Sequence, residues 1–233
     1  MFVRTVLTNN GEKMDVKEAW DQVHKNKEWG MYPSEIIIRF IARNFYKLPK
    51  DKRNQIKILD FGCGAGANSW YLAREGFDTY SFDFSKYAVD RMKTRFKNEC
   101  LKANLTCQNG VNINYPSFFF DGIIDNVSIQ CNKIADIYLM YQQVFRCLKN
   151  DGKFISVVFN KKTTGYGTGI ELEPGTFINE QNGTMRSLCR HYFDESELRS
   201  ILDNVGFKNV NLNYLEFSDG PNIVRHIIAT AEK

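Results

Sequence analysis

From Ile56 onward, short runs of consecutive apolar residues alternate with segments whose apolar residues recur every three or four positions. Ile56 to Phe61 and FFFDGIIDNVSI, from Phe118, are apolar on successive positions, the pattern of strands covered on both faces. Asp78 to Asp83, Leu105 to Gln108 and KFISVVF, ending at Phe159, read as further strands. Between them, Ala67 to Arg74 reads as a helix ended by Gly76, and Ser85 is an N-cap for a helix reaching about Ala103. Ile134, Ile137, Tyr138, Tyr141, Val144, Phe145 and Leu148 fall at helical spacing, and Asn150-Asp151-Gly152 follows as a turn. Such alternation predicts a parallel sheet with right-handed crossovers and helices on both faces. Asp194-Glu195-Ser196-Glu197 reads as a capping box opening a helix that ends before Gly206. Val210 to Phe217 and Ile223 to Ala231 predict an antiparallel hairpin at one sheet edge. Upstream, Asp15 to Lys27 is polar with Trp20 and Val23 on one side, a short surface helix. Pro33 and Pro49 bracket a second helix around IIIRFIARNF.

The expected fold class is therefore α/β, with about seven mostly parallel strands and a C-terminal antiparallel hairpin. The 233 residues suggest one domain: a helical lid segment over 1–50, a core over 56–160, an insertion over 161–193, and a terminal helix and hairpin over 194–233. No run is long and apolar enough for a signal peptide or a membrane span. The six cysteines, Cys63, Cys100, Cys107, Cys131, Cys147 and Cys189, form no CxxC pair and read as reduced thiols. Together these point to a cytoplasmic protein without a structural zinc. A net charge of +4 is too small to argue for a nucleic-acid binder.

The chemistry starts at ILDFGCGAG, Ile58 to Gly66. Gly62, Gly64 and Gly66 allow a strand-to-helix turn to run tight beneath a ligand. In such sheets, ligands bind at the carboxyl ends of the strands, where strand order reverses. Asp83 ends the next strand, where a carboxylate accepts hydrogen bonds from both hydroxyls of a ribose. The ligand is expected to contain a nucleoside. Ala67 stands where a dinucleotide site carries its third glycine, and that pattern tolerates alanine. Asp60 before the glycines and SFDFS after the second strand tip the balance away from a dinucleotide.

ILDFGCGAGANSWYLAREGFDTYSFDFSKYAVD resembles motifs I and II of the class I S-adenosylmethionine-dependent methyltransferases. The likeness continues through FFFDGIIDNVSIQC and VFRCLKNDGKFISVVF, covering roughly Ile56 to Phe159. It implies a Rossmann-like methyltransferase sheet with S-adenosylmethionine as cofactor. Gly62, Cys63 and Gly64 are expected to contact the methionine part through their backbone, with Asp60 orienting the loop. Asp83 is expected to hold the ribose, Phe84 to lie against the adenine, and Asp125 to lie beside the methionine moiety. Many members carry an aspartate after the third strand; here Val111 stands there, and Asn112 or a backbone carbonyl takes its role. Trp29, before the first strand, falls where members fold a segment over the cofactor.

His191 and Tyr192, on the substrate side, are candidate catalytic residues, since a base near neutral pH is most often histidine. Gln130, Asn132 and Tyr166 are candidates for substrate binding. The stretch from Lys161 to His191 is long for a connection inside a domain, and such loops carry function. Its polar and aromatic residues suit a polar small molecule, with Lys161, Lys162, Arg186 and Arg190 able to meet a phosphate. The reading is O-methylation of a sugar, nucleotide sugar or phosphorylated intermediate. The alternatives are an RNA or protein methyltransferase, a non-catalytic partner subunit that binds the cofactor, or a nicotinamide-dependent oxidoreductase. No ligand spacing argues for a metal.

Overall fold

The computed structural model describes residues 5–7, 13–26, 30–178 and 188–233. A short hairpin, β1 (Thr5–Leu7) and β2 (Lys13–Asp15), leads into α1 (Val16–Asn26) and α2 (Glu35–Phe45). After a 3-10 turn at Lys50–Gln55 come β3 (Lys57–Phe61), α3 (Ala67–Arg74), β4 (Asp78–Asp83), α4 (Lys86–Asn98) and β5 (Asn104–Cys107). Then follow β6 (Phe120–Asn126), α5 (Ile134–Cys147) and β7 (Leu148–Phe159). β8 (Ile170–Glu173), β9 (Thr176–Ile178) and β10 (Arg190–His191) precede α6 (Glu195–Val205), β11 (Lys208–Asp219) and β12 (Asn222–Glu232).

The main sheet has seven strands in the order β11-β12-β7-β6-β3-β4-β5. β7, β6, β3, β4 and β5 run parallel, and β12 pairs antiparallel with both β7 and β11. Strand order reverses between β3 and β6, so a crevice opens above their carboxyl ends. The two-residue side-chain period divides the core. Ile58, Ile124, Ile155 and Val157 face Ile37, Ile41 and Leu72 of α2 and α3. Their neighbours Leu59, Ile123, Phe154 and Val158 face Tyr141 and Val144 of α5 and Leu198 and Leu202 of α6. Central strands therefore show no polar alternation.

Two caps follow the sequence closely. Ser85 Oγ accepts from Ala88 N–H at 3.1 Å, and Asp194 Oδ1 accepts from Glu197 N–H at 2.9 Å. Glu197 does not complete the capping box; its side chain turns to His191 and Lys161 instead. The Asn150-Asp151-Gly152 turn becomes an irregularity inside β7, with Asp151 at φ 60°.

The described part of the insertion carries more strand than its glycines suggest. β10, β9 and β8 form a three-stranded antiparallel sheet. It is fastened to the core by His191 N–H to Gln130 O at 2.8 Å and Phe193 N–H to Phe159 O at 2.9 Å. Glu173 Oε1 also accepts from Ile134 N–H at 2.6 Å, serving the first turn of α5, whose own N-cap Lys133 offers no side-chain bond.

α1 lies across this end of the sheet. Asp15 Oδ1 accepts from Lys17 N–H at 2.8 Å and caps the helix. Its apolar face, Val16, Ala19, Trp20 and Val23, packs on Ile178 and Leu188 of the insertion. On its other side Asp21 accepts from the Ser85 hydroxyl and from Tyr87 N–H, pinning α1 to the start of α4. Among the described residues, no helix is long and apolar enough to cross a membrane.

Candidate active site

Between β3 and α3 the chain turns through Gly62 at φ +65° and Gly64 at φ +52°. A side chain on Gly62 would be left-handed and would put its Cβ 1.7 Å from Ser128 Oγ, so this loop fits closely against the turn after β6. Cys63 N–H donates to Phe82 O at 2.9 Å, tying the loop to β4. Asp60, buried at the end of β3, accepts from Ser69 N–H at 3.0 Å and Ser69 Oγ–H at 2.6 Å, and from Asn68 Nδ2 at 3.4 Å. It fixes the first turn of α3, and burial pushes its pKa up to about 6 against the pull of those bonds.

A cavity opens on each side of the glycine loop. One, of about 360 Å³, is lined by Gly62, Asp83, Phe84, Asn109, Gly110 and Asn132, with Met140 at its wall. The other, of about 510 Å³, runs from Gly62, Cys63, Gly64 and Asn68 to Phe159, Phe217, Val224 and His226. Trp20, Gly62 and Ser128 line both, so the two cavities adjoin along the glycine loop and α1 borders each.

Asp83 sits at the floor of the first cavity. Its Oδ2 accepts from Gly64 N–H at 2.8 Å and its Oδ1 from Ser85 N–H at 2.8 Å, which leaves lone pairs on both oxygens. Burial raises its pKa, and the neighbouring His24 opposes that rise. His24 is itself buried, which lowers its pKa. An added Cβ on Gly64 would come within 3.4 Å of the His24 ring, so that imidazole covers the loop in this conformation.

The expected residues divide. Gly62, Cys63, Gly64, Asp83, Phe84 and Asn132 line the cavities, and Asp60 supports them from beneath. Asn112 does not reach the site. The Asn109 side chain accepts from Val111 N–H at 3.1 Å, and this turn presents Asn109 and Gly110 while Asn112 is exposed. Asp125 is fully buried at the end of β6. It lines neither cavity; its Oδ1 accepts from Ser128 and Ile129 N–H, each at 3.0 Å, and its Oδ2 from Ser156 Oγ at 2.6 Å. It shapes the turn that carries Ser128. Gln130 is buried and accepts from Phe159 N–H, so it joins the turn to β7 and lines neither cavity.

His191 is fully buried, with Thr176 Oγ1 2.8 Å from Nδ1 and Glu197 Oε1 3.1 Å from Nε2. Both ring nitrogens are used in holding β10 to β9 and α6. Tyr192 is likewise buried, in edge contact with Tyr166 and Phe177. Tyr166 lies on the insertion, outside both cavities. None of the three lines either cavity; their contacts hold the insertion to the core. Lys161 pairs with Asp194 at 2.8 Å, and neither it, Lys162 nor Arg190 lines either of these two cavities. Trp29 and Arg186 lie outside the described residues.

Asn68, Asn109, Ser128, His24 and His226 were not singled out. Asn68 follows the glycines by two residues, and only its helix-start position signals it. His226 is reached because β12 is antiparallel: its first residues arrive at the edge where the parallel strands end, and His226 pairs with Phe159.

Asp125 supplies a pH test. Burial raises its pKa to about 6 despite the Ser156 and backbone bonds, against about 3.9 for an unfolded aspartate. The folded chain then holds the extra proton between those values. The stability this gives is complete below about pH 4 and is lost as pH rises through about 6. Relative to Asp125→Asn, the wild type should lose about 2 kcal/mol between pH 4 and 7 in urea titrations. Parallel curves would show that the carboxyl ionises as freely folded as unfolded.

A sequence profile described as a methyltransferase domain matches residues 32–212. An uncharacterised protein of Methanocaldococcus jannaschii is 29% identical over 131 residues, 56% of this chain and 52% of that one. A ubiquinone biosynthesis O-methyltransferase of Pelagibacter ubique is 27% identical over 155 residues, 64% of this chain and 63% of that one. The chain thus spans between about half and two thirds of the length of these two relatives. In structure, it is similar to an S-adenosylmethionine-dependent methyltransferase of Methanosarcina mazei, with a TM-score of 0.67 and 22% identity, covering 86% of this chain and 98% of that one. The seven-strand order with its antiparallel β12, and a profile match across most of the chain, agree: the chain belongs to the methyltransferase-domain family, of the class I, Rossmann-like fold.

Proposed function

We propose that the protein is a methyltransferase that uses S-adenosylmethionine and acts on a small molecule held beside the glycine loop. The observation that carries this reading is the pair of adjoining cavities around that loop, with an acidic floor in one and a buried acceptor in the other. Asn68 is the fit test. Its side chain is buried, its Nδ2 donates to Asp60, and its Oδ1 has no hydrogen-bond partner among the described residues. A buried acceptor without a partner costs about 1–3 kcal/mol. The ammonium group of the methionine moiety supplies the donor it lacks.

The remaining assignments follow from position. Asp83 accepts from the ribose hydroxyls. Phe84, Asn109 and Gly110 border the adenine, and Asn132 lines that same cavity. The backbone of Gly62, Cys63 and Gly64 borders the sulfur end. When bound, the cofactor supplies a methyl group activated by a positive sulfur. The protein's share is alignment and exclusion of water, which Trp20 on α1 and the insertion behind it provide. The O-methyltransferase among the relatives favours an oxygen acceptor. The phosphorylated or sugar acceptor expected from the insertion is not supported by the linings, which place none of the described insertion's cations at the site.

Calorimetric titration with S-adenosylhomocysteine, with NAD in parallel, tests the reading. Binding of the former alone is the expected result. Binding of NAD alone would replace methyl transfer with hydride transfer as the activity.

A further inference from the structure

The larger cavity has two ends. The glycine-loop end belongs to the site assigned above. The other end is built where β7 finishes, β12 starts and β11 finishes, and its walls are Phe159, Phe217 and Val224, with the exposed Tyr32 also lining the cavity. Among the described residues no Lys, Arg, Asp or Glu lines this cavity. A phosphate or sugar would find few charged or forked partners there, whereas flat apolar walls favour a ring of like shape.

His226 is the polar group on this wall. Its ring stacks on Phe159, with centroids 4.9 Å apart and planes 8° from parallel. Its Nδ1 is buried and has no hydrogen-bond partner among the described residues. Burial and the guanidinium of Arg190 hold its pKa down to about 4, so the ring is neutral at pH 7 and one nitrogen is an acceptor. The strands beside it present Phe159 and Leu215 at its own level. Arg225 and its ion-pair partner Glu216 lie one residue away, hence on the opposite face of the hairpin. His24 lines the far end of the same cavity and is engaged with Asp83.

Resting on the methyltransferase reading, we propose that this end of the cavity binds an aromatic hydroxyl compound, with His226 accepting the hydrogen bond of its hydroxyl and holding that oxygen toward the glycine loop. The ring of the ligand lies against Phe217 and Val224, while Phe159, stacked with His226 and with the Arg190 guanidinium over its ring, backs the imidazole. An unpartnered imidazole on an apolar wall discriminates strongly, because a ligand without a donor leaves it unsatisfied.

The test uses catechol, with ribose 5-phosphate as the contrasting ligand, on protein saturated with S-adenosylhomocysteine. Histidine ring proton signals are followed by NMR, and His226→Phe assigns the signal. Catechol is expected to bind and to shift the His226 signal. In His226→Phe, which keeps the stacking, catechol affinity should fall at least tenfold while S-adenosylhomocysteine affinity stays within twofold. Catechol binding that leaves the His226 signal unmoved would overturn the proposal, as would no catechol binding or binding of ribose 5-phosphate in its place. Should His226→Phe fail to fold, His226→Gln assigns the signal instead, and the wild-type shift on adding catechol still decides the matter. Failure of S-adenosylhomocysteine to bind would appear before catechol is added, and would remove the methyltransferase reading itself.

Discussion

Gly62→Ala is expected to destabilise the protein by about 3 kcal/mol or more, as overpacking and left-handed strain combine. The added Cβ would lie 1.7 Å from Ser128 Oγ and 2.6 Å from Ser128 Cβ, and the backbone there is at φ +65°. Neither side yields easily. The loop is held by Cys63 N–H to Phe82 O, and the Ser128 turn by two hydrogen bonds to Asp125. The displaced loop would also lose its match to the ligand, so S-adenosylhomocysteine affinity should fall with stability. A second change isolates the cause. Ser128→Gly removes both colliding atoms, so the double variant should recover most of the loss and keep only the backbone strain. Urea midpoints and calorimetry on the four members of this cycle measure the coupling. Additive losses would show that the two residues do not meet.

Asp83→Ala should weaken S-adenosylhomocysteine binding about 100-fold or more, since each hydrogen bond to a charged group contributes about 1.5–3 kcal/mol. The folded protein loses less. Gly64 N–H and Ser85 N–H forfeit their acceptor, but removal of the carboxylate also relieves the burial that raises its pKa. The expected pattern is a large rise in Kd with a modest fall in melting temperature. Unchanged affinity would dismiss the ribose role. Equal losses in binding and stability would make Asp83 a bracket for the loop and nothing more.

The fold was legible because the main sheet is buried on both faces. Ile58-Leu59 and Ile123-Ile124 are apolar on successive positions since one member of each pair meets α2 and α3 and the other meets α5 and α6. The terminal hairpin was legible for the opposite reason: its outer strand β11 is largely exposed and alternates. Less visible were β8, β9 and β10, whose short strands depend on hydrogen bonds to Gln130 and Phe159 far away in sequence. The site was half legible. Gly62 and Asp83 announce themselves through spacing, but Asp125 and His191 show what spacing leaves open. A polar residue at a strand end has the same sequence signature whether it faces a ligand or caps a turn. Asp125 turns to Ser128 and Ser156, and His191 to Thr176 and Glu197. His226 had no local signal, since only the direction of β12 brings it to the site.

The bond from Ile134 N–H to Glu173 Oε1 bears on how such an enzyme can be re-engineered. Exchanging the segment between β7 and α6 for that of a relative is an obvious route to new acceptors, since loops tolerate replacement. Here the exchange would strip α5 of a partner for its first N–H, and α5 carries Met140, which lines the smaller cavity. A graft therefore has to bring its own carboxylate to that point, or be accompanied by a capping residue such as Ser or Asp at position 133. The insertion and the smaller cavity are not separable modules in this chain; they share a helix.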